Sequence, residues 1–208
     1  MMTTSNVSNK ERLREIIRQE IVPGLEALTG SLTEECIEHI TSHSRLKQVT
    51  KNQFIQSSGS YEDGHLSYLY RGIAHSFYYH QETNKTFVTR LWKKDEIIFD
   101  TNSFVKSEDR LESIQMLEDG ELIAINYYHL KSLLNKFPEL FALFPYLQID
   151  REKHSKYYQH LLKLTAEERV SLFIQHNPTL ISRINKDAIA LYLGMSRCRF
   201  STALHKNI

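Results

Sequence analysis

The sequence has 208 residues, of which 41% are hydrophobic and 25% are charged, so it is long and apolar enough for one or two globular domains. Its 7 glycines and 4 prolines exclude collagen-like and low-complexity proteins, and its 2 cysteines exclude a disulfide-stabilised scaffold. The formal net charge is +1, so a nucleic acid would have to be bound through a local basic patch.

The chain opens with two predicted helices. Residues 8–11 and 31–34 both have the capping-box pattern, and apolar residues follow each box at helical spacing. The first residues are polar, which argues against a signal peptide, and no apolar run approaches the roughly 18 residues of a membrane span. Cys36 and Cys198 lie far apart in sequence, so we expect two unpaired thiols in the reducing cytoplasm.

A β-rich region follows, from residue 46 to residue 126. Short segments rich in β-branched and aromatic residues alternate there with turn residues such as Asp63-Gly64 and Asp119-Gly120. This spacing predicts an all-β sandwich or barrel. The aromatic residues could form a stacking platform, but their alternate strand positions favour the core and rim of the β structure. Helical spacing returns at Tyr127.

A long helix is predicted from residue 145 to residue 164. Apolar and aromatic residues recur along it in a 3-4 stripe, which is the spacing of a helix that packs along another helix. We therefore predict a homodimer whose interface contains Phe144, Leu147, Tyr158 and Leu161.

The C-terminal segment is the basic end of the chain, with a balance of +3 from residue 165 onwards against −2 for the rest. Two short predicted helices flank Gly194, whose lack of a Cβ suits a tight left-handed turn. This pattern predicts a helix-turn-helix with a core formed by Ile184, Ile189, Leu193, Phe200 and Leu204. A helical hairpin with an ordinary basic surface has the same periodicity and stays an alternative.

In a helix-turn-helix, the N-terminal part of the second helix enters the major groove of double-stranded DNA. We predict that the exposed face of this helix binds DNA through Ser196, Arg197, Arg199, Thr202 and Lys206. Arginine can donate two hydrogen bonds to guanine, whereas Lys206 lies at the far end of the helix and is better placed for a phosphate.

Residues 184–201 read INKDAIALYLGMSRCRFS and resemble the helix-turn-helix of the Crp/Fnr regulators, in particular the divergent Bacteroidetes type. The resemblance implies an α+β fold in three parts. Residues 1–144 would form a cyclic-nucleotide-binding-like sensor domain of helices and a β-roll. Residues 145–164 would form a dimerisation helix, and residues 165–208 a helix-turn-helix DNA-binding domain. The resemblance also implies double-stranded DNA and RNA polymerase as partners, with no membrane and no catalytic activity.

The same resemblance assigns roles to individual residues. Arg197 takes the position that contacts bases, and Thr202 replaces a second arginine that the family usually has. The family's roll holds a cyclic nucleotide through a Gly-Glu pair followed, about ten residues later, by an arginine with small neighbours. Here Phe99 replaces the glycine, Asp100 is a shorter acid, and Glu112 would repel an anion.

The ligand site is therefore expected to be degenerate for cyclic AMP. Asp100, Arg110 and Ser113 stay candidates for binding another small effector, and no effector at all is the alternative. No cofactor is expected.

Other function classes have weaker support. His39 and His43 have the spacing for a shared metal ion, but no third ligand is evident, so exposed histidines are favoured and no metal is expected. Two separate cysteines exclude an iron–sulfur centre, and the common catalytic motifs are absent. A cyclic-nucleotide-domain-like ligand-binding or scaffold protein that does not read DNA stays open as the alternative to a regulator.

Overall fold

The computed structural model describes residues 4–206. Helices form the N-terminal part, with a π-helical turn between the first two: α1 (Thr4–Ile16), the π turn (Ile17–Ile21), α2 (Val22–Thr29) and α3 (Glu34–His43). They pack together through buried apolar residues such as Ile17, Cys36 and Ile37.

The two capping boxes predicted in the N-terminal part were wrong in position. α1 begins at Thr4, so Ser8 lies inside the helix rather than at its start. α3 is capped by Thr33 rather than Ser31, and the Thr33 hydroxyl accepts a hydrogen bond from the backbone N–H of Cys36. Leu32, directly before this cap, is buried, which is the arrangement that fixes the entry angle of a helix.

The β-rich region forms the predicted sandwich, which is called the roll from here on. The described residues contain eight strands, one short α-helix and one 3-10 turn there: β1 (Arg45–Val49), β2 (Phe54–Gln56), the 3-10 turn (Tyr61–Asp63), β3 (His65–Arg71), β4 (Ala74–His80), β5 (Lys85–Trp92), β6 (Ile97–Ile98), α4 (Thr101–Lys106), β7 (Ser113–Met116) and β8 (Gly120–Asn126). They make two antiparallel four-stranded sheets with the orders β1-β8-β3-β6 and β2-β7-β4-β5. Leu69, Ile98, Met116 and Leu122 are buried in the cluster between the sheets.

Helices form the rest of the described chain, with a 3-10 turn after the first of them: α5 (Tyr127–Lys136), the 3-10 turn (Pro138–Ala142), α6 (Leu143–Lys163), α7 (Ala166–His176), α8 (Leu180–Arg183), α9 (Lys186–Tyr192) and α10 (Arg197–His205). Helices and antiparallel sheets are thus combined as the α+β expectation required, and α6 matches the predicted long helix within two residues at each end. Within residues 4–206, no helix has the length and apolar character to cross a bilayer.

A bulge in β5 decides what the second sheet presents to the C-terminal helices. Ser76 pairs with Arg90 and Phe77 with Val88, so Thr89 is an extra residue. The extra residue places Val88 on the same face as Leu91, and both side chains pack in one cluster with residues of α6 to α10. The C-terminal helices therefore share a hydrophobic cluster with the sheet.

Candidate functional site

The helices α9 and α10 are held together by an apolar core. Ile189, Leu193 and Phe200 are fully buried, and Ile184 and Leu204 are 5% exposed, so the predicted core residues are confirmed as buried. Gly194 joins the helices with a φ of +64°, the left-handed conformation that glycine adopts without strain.

Side-chain caps fix the start of both helices. The Asn185 side chain accepts a hydrogen bond from the Asp187 amide, and the Ser196 hydroxyl accepts one from the Arg199 amide at 3.2 Å. A capping serine still has its own O–H to donate, so Ser196 can cap α10 and also reach an acceptor in solution.

The predicted DNA-binding side chains all lie exposed on α10 or beside it: Ser196, Arg197, Arg199, Thr202 and Lys206. Two of them form surface ion pairs within the chain, Arg197 with Asp187 at 2.7 Å and Lys206 with Glu167 at 2.9 Å. Exposed pairs of this kind contribute roughly 0–1 kcal/mol, so a phosphate or a base can replace the carboxylate at low cost.

Arg169 on α7 ties this helix pair to α6, and sequence reasoning missed it. Its guanidinium donates to the backbone carbonyls of Leu193, Leu162 and Leu164, which lie at the ends of α9 and α6. Burial lowers the pKa of Arg169, with a further contribution from Arg199. No sequence signal marks such a residue, because its partners are main-chain groups up to 24 positions away.

A cavity of about 400 Å³ lies between the roll and α6. Its lining comes from β5, β6, the start of α4, the segment before β7 and the inner side of α6, and includes Arg90, Trp92, Phe99, Asp100, Glu112, Leu147, Asp150, Arg151, His154 and Tyr158. A volume of this size suits a small organic molecule.

Of the three predicted ligand residues, Asp100 lines this cavity, whereas Arg110 and Ser113 do not. Asp100 lines it, and its carboxylate also caps α4 by accepting from the Ser103 amide at 3.1 Å. Arg110 does not line it. Its buried guanidinium donates instead to the carbonyl oxygens of Ser57 and Ser60, which holds the loop before β3.

Ser113 also departs from the prediction. It lies outside the lining, and its hydroxyl accepts a hydrogen bond from the Ser58 amide at 3.0 Å. Arg110 and Ser113 are thus corrected to residues that fix the 57–60 loop.

Arg90 is the most buried of the charged side chains that line the cavity. One terminal nitrogen donates to Glu96 at 3.1 Å and to Asp150 at 2.8 Å, and the guanidinium lies 3.9 Å from the centre of the Trp92 ring. The indole N–H of Trp92 in turn donates to Ser76 at 2.6 Å. Arg90 is therefore held by two carboxylates and an aromatic face.

Burial favours the neutral forms of both His154 and Glu112, and it shifts their pKa values accordingly. Burial, helped by the positive charge of Arg90, lowers the pKa of His154 to about 4. Burial raises the pKa of Glu112 despite opposing interactions with Thr89 and Arg151. The cavity therefore contains a neutral imidazole, and burial disfavours the charged form of Glu112.

The predicted dimer stripe faces the chain itself. Phe144 and Leu147 pack against the N-terminal cluster, whereas Tyr158 and Leu161 pack against the C-terminal one. The four residues thus pack within the chain against two different clusters, and not together along a second helix. The exposed apolar residues of this region are different ones: Phe141, Tyr146, Ile149 and Leu162.

The histidine pair has a neighbour that the sequence did not reveal. The rings of His39 and His43 stack at 4.4 Å, and His129 from α5 lies 4.6 Å from His43. All three are half-buried, which corrects the expectation of exposed histidines. Among the residues that the structure describes, no three histidine, cysteine or acidic side chains are arranged to hold a metal ion.

Comparison with known proteins identifies the fold. No family model and no curated protein matches the sequence. Among solved structures, it is similar to the c-di-GMP-responsive regulator CLP of Xanthomonas campestris, with 18% identity, a TM-score of 0.66 and coverage of 84% of this chain and 91% of CLP.

Two further solved structures give the same result. A putative Crp/Fnr-family regulator of Eubacterium rectale matches with 15% identity, a TM-score of 0.69 and coverage of 84% and 83% of the two chains. FixK2 of Bradyrhizobium japonicum matches with 13% identity, a TM-score of 0.67 and coverage of 78% and 83%. The chain has the fold of Crp/Fnr transcription regulators with a cyclic-nucleotide-binding-like domain.

Proposed function

We propose that this chain, which has the Crp/Fnr fold, is a DNA-binding transcription regulator in the cytoplasm and not an enzyme. In this proposal residues 1–144 are the sensor domain, residues 145–164 the dimerisation helix, and residues 165–208 the helix-turn-helix domain. The observation that carries it is the exposed basic face of α10, which rests on a fully buried α9–α10 core. RNA polymerase would be a partner only if the protein is an activator.

DNA binding would use the start of α10. Arg197 and Arg199 lie in its first turn, where the free N–H groups of the helix also attract phosphate. Ser196 and Thr202 add hydroxyl groups, and Lys206 adds a positive charge at the far end. Thr202 already donates its hydroxyl to the Cys198 carbonyl at 3.2 Å, so we assign it a supporting role.

A homodimer would place two such helices on successive turns of DNA, about 34 Å apart. We assign the dimer contact to the exposed apolar residues of α6 and the turn before it, with Tyr146 and Ile149 at the centre. These residues replace the predicted stripe, which is already packed within the chain.

A selection from random duplexes tests the proposal. We expect enrichment of a near-palindromic site, with an affinity that falls steeply as salt rises because phosphate contacts release counterions. An Arg197→Ala, Arg199→Ala double variant should enrich no motif, whereas a Lys51→Ala variant on the exposed turn after β1 should behave like the parent protein.

A ligand-binding or scaffold protein that does not read DNA is the alternative function. Only the cavity favours this alternative, because a ligand-binding protein needs such a cavity as much as a regulator does. Failure to bind any duplex at low salt, with the fold intact, would establish this alternative against the regulator.

A further inference from the structure

The cavity between the roll and α6 contains few positive charges that are free to bind an anion. Its basic lining residues are Arg90, Lys106 and Arg151. Arg90 is already paired with two carboxylates, and Lys106 lies 3.9 Å from Glu108 at the exposed rim. Arg151 is exposed and interacts with Glu112. Arg110 is turned into the 57–60 loop.

Negative charge is in excess in the same lining. The lining contains five acidic residues and three basic ones; the acids are Asp100, Glu108, Asp109, Glu112 and Asp150. With Asp150 paired to Arg90 and Glu108 near Lys106, the acids Asp100, Asp109 and Glu112 remain against Arg151. Asp100 and Glu112 lie near enough for the charge of Asp100 to raise the pKa of Glu112. A cation between these two carboxyl groups would relieve their repulsion and stabilise the charged form of Glu112. His154 cannot provide that cation near neutral pH, because its pKa is about 4.

The rest of the wall is suited to an organic body. Phe99, Leu147 and Tyr158 supply apolar and aromatic surface. Arg90 completes this wall, with its guanidinium over the Trp92 ring.

We propose that the cavity binds a small organic amine, with its ammonium group at Asp100 and Glu112 and its organic body against the apolar wall. The inference rests on the proposed function, since it specifies the class of effector that the sensor domain would detect. The proposed ligand carries a positive charge, whereas a cyclic nucleotide carries a negative one.

Three probes of one skeleton test the sign of that charge. Tyramine is cationic, tyrosol neutral and 4-hydroxyphenylacetate anionic, and calorimetry on the full chain at pH 7.5 gives their affinities. We expect tyramine to bind at least about tenfold more tightly than tyrosol, as a charge-assisted hydrogen bond in a partly buried site would give. The anion should bind more weakly than tyrosol.

Two variants test the residues. Asp100→Asn keeps the cap on α4, because asparagine caps helices as well as aspartate does. Together with Glu112→Gln, it should reduce the ratio of tyramine to tyrosol affinity to near one. Glu82→Gln removes one negative charge from the exposed turn between β4 and β5, outside the cavity, and should leave the ratio unchanged.

Several results would overturn the inference. They are tighter binding of 4-hydroxyphenylacetate, cyclic AMP or c-di-GMP than of tyramine, an unchanged ratio in the two variants, or no binding of any probe at millimolar concentration. The regulator proposal is judged separately by duplex selection without amine. A protein that enriches a DNA site but fails these tests refutes the inference alone. A protein that prefers tyramine but enriches no DNA site refutes only the proposal that the chain is a regulator.

Discussion

His154 and Tyr192 connect the cavity to the α9–α10 pair, because Nε2 of His154 lies 3.4 Å from the phenol oxygen of Tyr192. His154 lines the cavity from α6, and Tyr192 is buried at the end of α9, just before the turn into α10. The His154 ring also stacks on Tyr158, which donates a hydrogen bond to the Val88 carbonyl of β5 at 3.1 Å. Protonation of His154 would therefore affect the contacts that α6 makes with both α9 and β5.

Acid should destabilise the protein through His154. Its pKa is about 4 in the folded chain and about 6.5 when exposed, so the unfolded state takes up the proton first. The stability due to the neutral imidazole is thus fully present above pH 6.5 and is lost as the pH falls to 4, by at most about 3 kcal/mol. Urea unfolding at a series of pH values measures this loss.

The His154→Asn variant should make the profile between pH 6.5 and 4 less steep, while still offering Tyr192 a hydrogen-bond partner. Part of the slope should remain, because burial also lowers the pKa values of His39, His65 and His75. His160→Asn, at an exposed position of the same helix, is the matched control and should leave the profile unchanged. Glu112 works in the opposite direction, because its raised pKa favours the folded state in acid. Equal profiles for the two histidine variants would contradict the assignment.

Loss of the Arg169 guanidinium should destabilise the C-terminal helices. Arg169→Met keeps much of the side-chain volume but leaves the carbonyls of Leu193, Leu162 and Leu164 without their donor. A hydrogen bond to a charged group contributes a net of about 1.5–3 kcal/mol. Because water can replace the donor at the carbonyls near the surface, we expect a total loss of about 2–4 kcal/mol in urea unfolding. Arg199→Met, at an exposed position, should change stability by less than about 0.5 kcal/mol. Similar losses for both variants would show that Arg169 has no special role.

Arg197 and Lys206 should contribute differently to DNA binding. Arg197→Ala is expected to remove about 1–3 kcal/mol of discrimination between cognate and scrambled duplexes, since a two-bond contact to guanine would be lost. Lys206→Ala should weaken binding to both duplexes equally and reduce the salt slope by about one unit. Fluorescence anisotropy at several salt concentrations separates the two effects. An Arg197→Ala variant that keeps its sequence preference would assign base reading to another residue.

The dimer contact should depend on Ile149 and not on Leu161. Ile149 is 53% exposed, so Ile149→Asp should leave the fold intact and yield a monomer in analytical ultracentrifugation. Gln19→Asp, at an exposed position of the π turn after α1, should leave the oligomeric state unchanged. Leu161→Ala should instead reduce stability by about 2–5 kcal/mol, because this side chain is fully buried within one chain. A dimer that survives Ile149→Asp would place the interface elsewhere.

Periodicity was enough to predict the strands of the roll, the long helix and the core of the α9–α10 pair. These features depend on local alternation of apolar residues, and Ile189, Leu193 and Phe200 are buried as their spacing predicts. The spacing of Phe144 and Leu161 was informative in the same way, but periodicity does not say which partner covers a stripe. Here the chain covers it itself.

The cavity was less predictable from sequence. Arg110 has the expected residue type, yet its guanidinium is directed to the carbonyls of Ser57 and Ser60, which lie some fifty positions earlier in the chain. Arg90 meets Asp150 and His154 through tertiary packing alone, so no spacing marks them as neighbours. Residue type identifies candidates for binding, whereas side-chain direction decides which of them face the ligand.

The hydrophobic cluster that β5 shares with α7 to α10 has a thermodynamic consequence. If the helix pair moved away from Val88 and Leu91, apolar surface would become exposed to water, and the heat capacity would rise. Apolar contacts of this kind weaken on cooling and strengthen in salts such as sulfate. Any release of the helix pair from the sheet should therefore depend on temperature and be favoured in the cold.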